Sequence, residues 1–337
     1  MHCLITGRTG FKGAWLTLLL KERGHIVSGF SDKAEPNSLY ETARLSDFLE
    51  FDLRGDVRNL EHLENAHSEL HPDFVIQLAS QSLVRKSYLE PIATFETNVL
   101  GTLNVLHSSQ MSRDLRGQLI ITTDKVYLNT GKTEGYIESD PLGGHDPYSA
   151  SKAMADIATQ SWISSFENVP TAIARAGNVI GGGDVCIDRL IPDLINSYVS
   201  NTTPKIRHPN SICPWQHVLD CLNGYLILVD RIIHNEADGA WNFGPNESEP
   251  KSVADVAHIA SRIWGVEKGW ITDSGNHPHE APALILNSNK ARREFNWSDK
   301  LSFEESIKWT TSWFKNVNAG SDPLDETIKN IKEFELI

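Results

Sequence analysis

The residues of this 337-residue chain best suited to chemistry are Tyr148 and Lys152. Four residues apart, they share one face of a helix, and the stretch from about 149 to 166 has helical spacing. A lysine ammonium beside a phenol stabilises the phenolate, so a group of ordinary pKa ~10 can take a proton from a hydroxyl near neutral pH. Thr122-Thr123-Asp124-Lys125 follows a predicted strand and offers hydroxyl, carboxyl and amine for further proton transfers. Each group also has a plainer reading: an exposed helix face for the first, an Asp-Lys turn for the second. Their position in the fold has to decide.

Thr6-Gly7-Arg8-Thr9-Gly10-Phe11-Lys12-Gly13 lies between a predicted strand, Cys3 to Thr6, and a predicted helix, Gly13 to Arg23. In that context glycines let the backbone approach a pyrophosphate at a helix N-terminus. Thr6, Gly7, Thr9, Gly10, Phe11, Lys12 and Gly13 are therefore candidates to hold a dinucleotide. Asp32 follows a second strand, Ile26 to Phe30, where a carboxylate can accept from the adenosine ribose and repel a 2′-phosphate, favouring NAD over NADP. Lys33 and Arg8 offer the opposite, a cation for that phosphate.

Further strands are predicted at Phe74–Gln77, Gln118–Thr122 and Thr171–Arg175, with a helix near 91–110 besides that near 149–166. Alternating strands and helices predict an α/β protein with a Rossmann-type, doubly wound parallel sheet. Past Arg175 the pattern changes. Gly181-Gly-Gly183 interrupts any regular element, and loop-forming residues run to Val218, as a substrate lid would require. Trp241 to Pro245 reads as strand and turn, and Val253–Trp264 and Phe303–Phe314 as helices. The expected division is a Rossmann domain of residues 1–175 and 213–244, with a smaller, mostly C-terminal substrate-binding domain of 176–212 and 245–337. The polar tail beyond Asn316 carries no predicted function.

A net charge of −13 and a pI near 5.4 argue against a general nucleic-acid or membrane-surface role. An anionic ligand must then be met by local cations. No apolar run approaches the ~20 residues that span a bilayer. Cys3, Cys186, Cys213 and Cys221 form no CxxC pair and read as free thiols of a cytoplasmic protein. His277-Pro-His279-Glu280 has ligand-like residue types, but neither the spacing nor the third ligand of a zinc site, so no metal is expected.

The glycine spacing, Gly55-Asp56-Val57-Arg58, Asn98 before Gly101-Thr102, and Tyr148-Ser-Ala-Ser-Lys152 together resemble the extended short-chain dehydrogenase/reductase superfamily. Within it, Thr9-Gly-Phe-Lys-Gly-Ala-Trp-Leu16, Leu83-Val-Arg-Lys-Ser-Tyr88, Gly143-Gly-His-Asp-Pro-Tyr148, Arg175-Ala-Gly-Asn-Val-Ile-Gly-Gly-Gly-Asp184, Asp188-Arg-Leu-Ile-Pro-Asp193, Pro214-Trp-Gln-His-Val218 and His277-Pro-His-Glu280 resemble the CDP-glucose 4,6-dehydratases. The resemblance implies NAD and a nucleotide-sugar substrate. Tyr148 is then the base, Lys152 its helper, and Thr123 shares the sugar 4-hydroxyl. Asp124 protonates the departing 6-hydroxyl, and Lys125 stands where other such dehydratases carry a glutamate base. A lysine must lose its charge to act so, and its pKa is expected to fall through burial or the nearby Lys152. The implied cycle is redox-neutral: hydride leaves C4 for NAD, water leaves across C5 and C6, and the hydride returns to C6.

By the same resemblance, Asp56, Val57, Leu78, Ala79, Ser80, Gln81, Asn98 and Thr122 lie along the cofactor. Ser82, Arg85, Asn178, Arg189, Arg207, Trp215, Gln216, His217, His279 and Glu280 are implied at the substrate. Asn178, Arg189 and Arg207 have the amide and guanidinium donors that suit a diphosphate. Trp215 either stacks on a base or fills the domain seam. Cys213 stands where the pattern has arginine, Val185-Cys186 where it has Trp-Ala, and Ser80 where alanine is common. The helices near 91–110 and 149–166 are expected to pair with their copies in a homodimer, or a tetramer made by doubling it. Two other functions share these features. A nucleotide-sugar 4-epimerase would need Tyr148, Lys152 and NAD, but no eliminating residues. A non-enzymatic dinucleotide sensor would not need the Tyr148/Lys152 pair.

Overall fold

The structure is a computed structural model describing residues 1–112, 114–166, 169–246, 251–266, 269–275 and 284–337. In chain order its strands are β1 (His2–Thr6), β2 (Ile26–Ser31), β3 (Asp52–Arg54), β4 (Phe74–Gln77), β5 (Gly117–Ile121), β6 (Thr171–Ala176), β7 (Val179–Ile180), β8 (Lys205–Ile206), β9 (Gln216–His217), β10 (Gly239–Phe243) and β11 (Ile271–Thr272). Seven of them form one sheet in the order β10-β6-β5-β4-β1-β2-β3, with every pairing parallel. The strand order reverses at β1, between β2 and β4. Ligands of such sheets sit beyond the carboxyl ends of the strands at this switch.

Strands buried on both faces must be apolar on both. Leu4, Ile5, Phe74, Val75, Ile76, Leu119, Ala172 and Ile173 are all fully buried. The helices Phe11–Glu22 and Val218–Ile233 contribute Trp15, Leu16, Leu222 and Tyr225 to the main core. A second apolar cluster joins the helices Leu190–Val199, Val253–Trp264 and Phe303–Asn318 through Leu194, Ile195, Tyr198, Val256, Ala260 and Ile307. Ser252 and Ser302 open the latter two helices with capping boxes.

Two stretches differ from expectation. The predicted lid loop contains the helix Leu190–Val199, and the polar tail folds into the helix Pro323–Leu336, capped by Asp322 and burying Ile331 and Phe334. Its polar composition conceals an apolar stripe at Leu324, Ile328, Ile331 and Phe334, a spacing that only a partner surface makes useful. Among the described residues the four cysteines form no disulfide, and no helix is long and apolar enough to cross a membrane.

Candidate active site

A cavity of about 1560 Å³ opens along the carboxyl ends of β1, β4, β5 and β6 and extends under the residues after β7. It exceeds the ~300–1,000 Å³ usual for one small ligand. At one end β1 turns into the helix Phe11–Glu22. Gly7 has φ +74 and donates to the Phe30 carbonyl at 2.9 Å. A Cβ on Gly7 would come within 2.6 Å of the Ala79 nitrogen, and one on Gly13 within 2.4 Å of the Gly7 carbonyl. The turn is thus closed to side chains. The helix starts without a side-chain cap and without an acidic residue in its first turn, which leaves its N–H groups to an anion.

Thr9, Gly10, Phe11, Lys12, Asp32, Asp56, Val57, Leu78, Ala79, Ser80 and Gln81 line this end with Gly7 and Gly13. Arg8 does not. Its side chain is buried across Gly29 in an ion pair with Asp52, whose other oxygen accepts from the Tyr40 hydroxyl at 2.7 Å. A 2′-phosphate could therefore not draw on Arg8.

The reactive groups meet where β5 ends beside the helix Pro147–Ser165. Asp146 caps that helix by accepting from the Ser149 N–H at 2.9 Å, and Pro147 sets its first turn. Tyr148, Lys152 and Asp156 then fall on its buried face. Lys152 Nζ donates to the Ile121 carbonyl at 3.0 Å. Burial, and secondarily the Lys12 ammonium, push the Lys152 pKa down to about 7 against the pull of Asp156. Burial, with a smaller push from the Asp124 carboxylate, holds the Tyr148 phenol above its ordinary value against the pull of a hydrogen bond with Thr123 and the charges of Lys125 and Arg189. Both cations that act on the phenol, Lys125 and Arg189, are ones the sequence reading assigned elsewhere.

Thr123 caps the short turn Asp124–Val126 and donates to Asp124 Oδ1 at 2.8 Å. Asp124 Oδ2 is buried with no hydrogen-bond partner among the described residues. A Cβ on Gly177 would fall 2.2 Å from that oxygen, so only glycine lets the carboxyl stand there. The expectation for Lys125 is corrected. The adjacent Asp124 carboxylate outweighs burial and holds the lysine pKa above its ordinary value rather than below it.

Farther along, Arg189 donates to Asp184 and to the Ser82 hydroxyl, both at 2.8 Å. Arg85 and Arg207 converge on Asp188 at 2.8 and 2.9 Å. Asp188 has φ +63, uncommon for a side chain other than glycine. Cationic side chains expected at a diphosphate therefore lie on the wall already engaged by carboxylates. Asn178, Trp215 and Cys213 are also on the wall, and Trp215 belongs to the second apolar cluster as well.

Four expected ligand contacts do not reach the cavity. The Thr6 hydroxyl is buried against Gln77. Asn98 is buried and spends its amide on the Gln81 backbone and the Ser151 hydroxyl, tying the loop after β4 to the helix Pro147–Ser165. Gln216 donates to the Phe243 carbonyl, and His217 is sealed between Trp15 and Trp309. These residues hold the site together from behind. His279 and Glu280 lie outside the described residues.

A family model described as GDP-mannose 4,6 dehydratase matches residues 4–310. The CDP-glucose 4,6-dehydratase of Salmonella typhimurium strain LT2 is 40% identical over 98% of this chain and 95% of its own length. The chain belongs to the nucleotide-sugar 4,6-dehydratase family. A dTDP-glucose 4,6-dehydratase of Xanthomonas campestris pv. campestris is 25% identical over 92% of each chain. In fold, the chain matches the Bacillus anthracis dTDP-glucose 4,6-dehydratase in complex with NAD at a TM-score of 0.81 and 23% identity, over 96% of this chain and 99% of that one. It matches a Thermus thermophilus UDP-glucose 4-epimerase complexed with NAD equally well, at 0.81 and 21%, over 94% and 99%. The fold is thus shared by dehydratases and epimerases, and the eliminating residues must separate them.

For this member of the dehydratase family, sequence reasoning missed Asp156, Arg175 and Asp184 as partners of site residues. Asp156 had a legible signal, since it repeats the four-residue step from Tyr148 to Lys152. Asp184 had none, because its link to Arg189 depends on the turn at Gly183, φ +74.

Proposed function

We propose that the protein is an NAD-dependent 4,6-dehydratase that converts CDP-glucose to CDP-4-keto-6-deoxyglucose. The observation that carries this reading is the Thr123–Lys125 turn beside Tyr148, with one buried carboxylate oxygen left free. A 4-epimerase has no use for that oxygen. The nucleotide follows from the relative at 40% identity. NAD fits the glycine cradle and the uncapped helix, with Asp32 on the wall where the ribose would lie. When bound, it supplies a reversible hydride acceptor, which makes the C5 proton acidic while C4 is a ketone.

The chain's own groups then divide the proton work. Tyr148, its phenolate favoured by Lys125 and Arg189, takes the 4-hydroxyl proton. Asp124 and Lys125 act as a unit that shares one proton. At rest the proton is on Lys125, held there by the carboxylate. Passing it to Asp124 yields the two species that elimination needs, a neutral amine to accept the C5 proton and a carboxylic acid to protonate the 6-hydroxyl. As the C6–O bond breaks and water leaves, the pair returns to Lys125 ammonium and Asp124 carboxylate. No fallen lysine pKa is required.

Incubation with CDP-glucose followed by alkali is expected to develop the absorbance of a 4-keto-6-deoxy sugar, and acid-denatured protein to release NAD and not NADP. A 4-epimer in place of the keto sugar would establish an epimerase. Turnover of a dTDP-, GDP- or UDP-sugar alone would reassign the nucleotide.

Lys125→Met is expected to move the acid limb of the oxidation half-reaction to higher pH by about one unit or more, because a cation a few ångströms away lowers an acid's pKa by ~1–3 units. The sign follows from removing a charge that favours the phenolate. An unmoved limb would mean that Tyr148 does not sense Lys125.

Two structural readings accompany this function. We assign residues 1–175 with 213–244 to the cofactor domain and the remainder to the substrate domain, whose helices at 190–199, 253–264 and 303–318 meet in the second apolar cluster while its last helix packs on the main core. Tyr88, Leu89, Ile92, Met154 and Ile157 are exposed on helices that pack together at 84–95 and 147–165, an apolar face suited to a second copy of the chain. Light scattering should return a dimer mass, or twice that for a tetramer. Four cysteines without a disulfide suit a cytoplasmic enzyme, which cell fractionation would check.

A further inference from the structure

Beneath the site lies a polar cluster whose central ion pair reaches neither solvent nor the cavity. Arg175, at the end of β6, and Asp156, on the catalytic helix, are each fully buried. Arg175 donates from Nε and Nη2 to both Asp156 oxygens, at 2.8 and 2.7 Å. One of these oxygens also accepts from the Thr122 hydroxyl at 3.0 Å, and the other from Gln160 at 2.7 Å. The remaining guanidinium nitrogen, Nη1, donates to the Tyr127 hydroxyl at 2.9 Å and to the Glu138 carbonyl at 3.0 Å. The Tyr127 hydroxyl in turn donates to Asn242 Oδ1, in β10, at 2.7 Å.

Thr122 and Tyr127 are the residues on either side of the segment that carries Thr123, Asp124 and Lys125. One is fastened to Asp156 and the other to Arg175. We propose that the Arg175–Asp156 pair is a positioning element that grips both flanks of this turn and so sets where the Asp124 carboxyl stands relative to Tyr148 and Lys152. The proposal rests on the dehydratase reading, in which that carboxyl performs the elimination.

Energetics favour a directional role over a stabilising one. A buried ion pair recovers little net stability, and well-packed apolar residues of the same volume often do as well or better. What such residues cannot do is fix angles. The bidentate fork locks the guanidinium plane to the carboxylate, and the Tyr127 ring lies under that plane, 5.0 Å from the guanidinium carbon, stacked on Tyr136 at 5.2 Å. The turn itself has few bonds of its own. Tyr127 N–H reaches the Asp124 carbonyl and Val126 N–H the Thr123 carbonyl, both at 3.4 Å. Long bonds within the turn and short ones at its flanks place its orientation under external control.

Tyr127→Phe removes the hydroxyl that joins Arg175 to Asn242 and keeps the stacked ring. Arg175→Lys keeps the charge and loses the fork, and Arg175 touches no ligand. For each variant, steady-state constants, the melting midpoint and a single-turnover trace of reduced-nicotinamide absorbance are measured on the holoenzyme. Displacement of reacting groups by about 1 Å costs up to ~100-fold in rate. Tyr127→Phe is expected to lower kcat by about 10- to 100-fold with KM within about twofold. Reduced nicotinamide should persist in the trace, because Tyr148 and Lys152 sit on a separate element and elimination is slowed more than oxidation. Arg175→Lys should do the same more severely. A melting midpoint that falls while kcat and the trace stay wild-type overturns the proposal and leaves the pair a scaffold. A loss of rate with no persistent reduced nicotinamide also overturns it, since oxidation would then be impaired equally. Should Arg175→Lys fail to fold, Tyr127→Phe decides alone. Absence of a keto product from wild type would defeat the dehydratase reading and the proposal with it, whereas wild-type turnover with an unaffected Tyr127→Phe defeats only the proposal.

Discussion

Tyr148→Phe is expected to reduce turnover by about 10²- to 10⁴-fold, the range that a positioned proton-transfer group contributes. The ring is buried and its backbone N–H is held by the Ser87 hydroxyl at 3.1 Å, so the phenylalanine keeps the helix and the shape of the wall. Only the titrating hydroxyl is lost. Thr123 keeps its bond to Asp124, which limits disturbance of the neighbouring turn. The variant should therefore retain NAD and melt near the wild-type temperature while failing to oxidise the sugar at C4. Rate measurements alongside release of cofactor on denaturation separate these effects. A rate within tenfold of wild type would move the base to another residue, and loss of cofactor along with activity would show that the substitution had damaged the cradle.

Arg175→Met is expected to cost about 3–5 kcal/mol of stability, because it leaves the Asp156 carboxylate fully buried without its counter-ion. Thr122 and Gln160 would still donate to Asp156, but two hydrogen bonds do not replace a charge. The Glu138 carbonyl would lose its guanidinium donor, and the Tyr127 hydroxyl would keep only Asn242. Chemical denaturation of the two proteins at the same pH measures the difference. The double variant Arg175→Met, Asp156→Leu should recover much of the loss, since it removes the uncompensated charge and fills the space with apolar atoms. A single variant within about 1 kcal/mol of wild type would mean that water or a protonated Asp156 relieves the burial, and would weaken the case for a rigid clamp.

Much of the scaffold was legible because it is local. Continuous apolar runs such as Phe74–Gln77 reported strands buried on both faces, and the glycine spacing after β1 reported a turn that excludes side chains. The step from Tyr148 to Lys152 reported a shared helix face, and the structure places both on the cavity with Thr123, Asp124 and Lys125. Boundaries drifted where composition misled. The helix Pro323–Leu336 went unread because four apolar residues among charges look like a solvated tail until a surface is found for them.

The amino-acid sequence by itself determined the order of elements, the dinucleotide-type turn and the set of reactive side chains, because each depends on periodicity or on spacing within a few residues. Tertiary structure alone decided the electrical state of those side chains. Arg8 is committed to Asp52, and Arg85 and Arg207 meet on Asp188, although these partners lie 19 to 103 residues apart in sequence. The same is true of Asn98, His217 and Gln216, whose polar types suggested ligand contacts and whose burial makes them braces. The physical reason is that a charge responds to distance and to loss of water, and both are set by contacts between elements that no local pattern encodes.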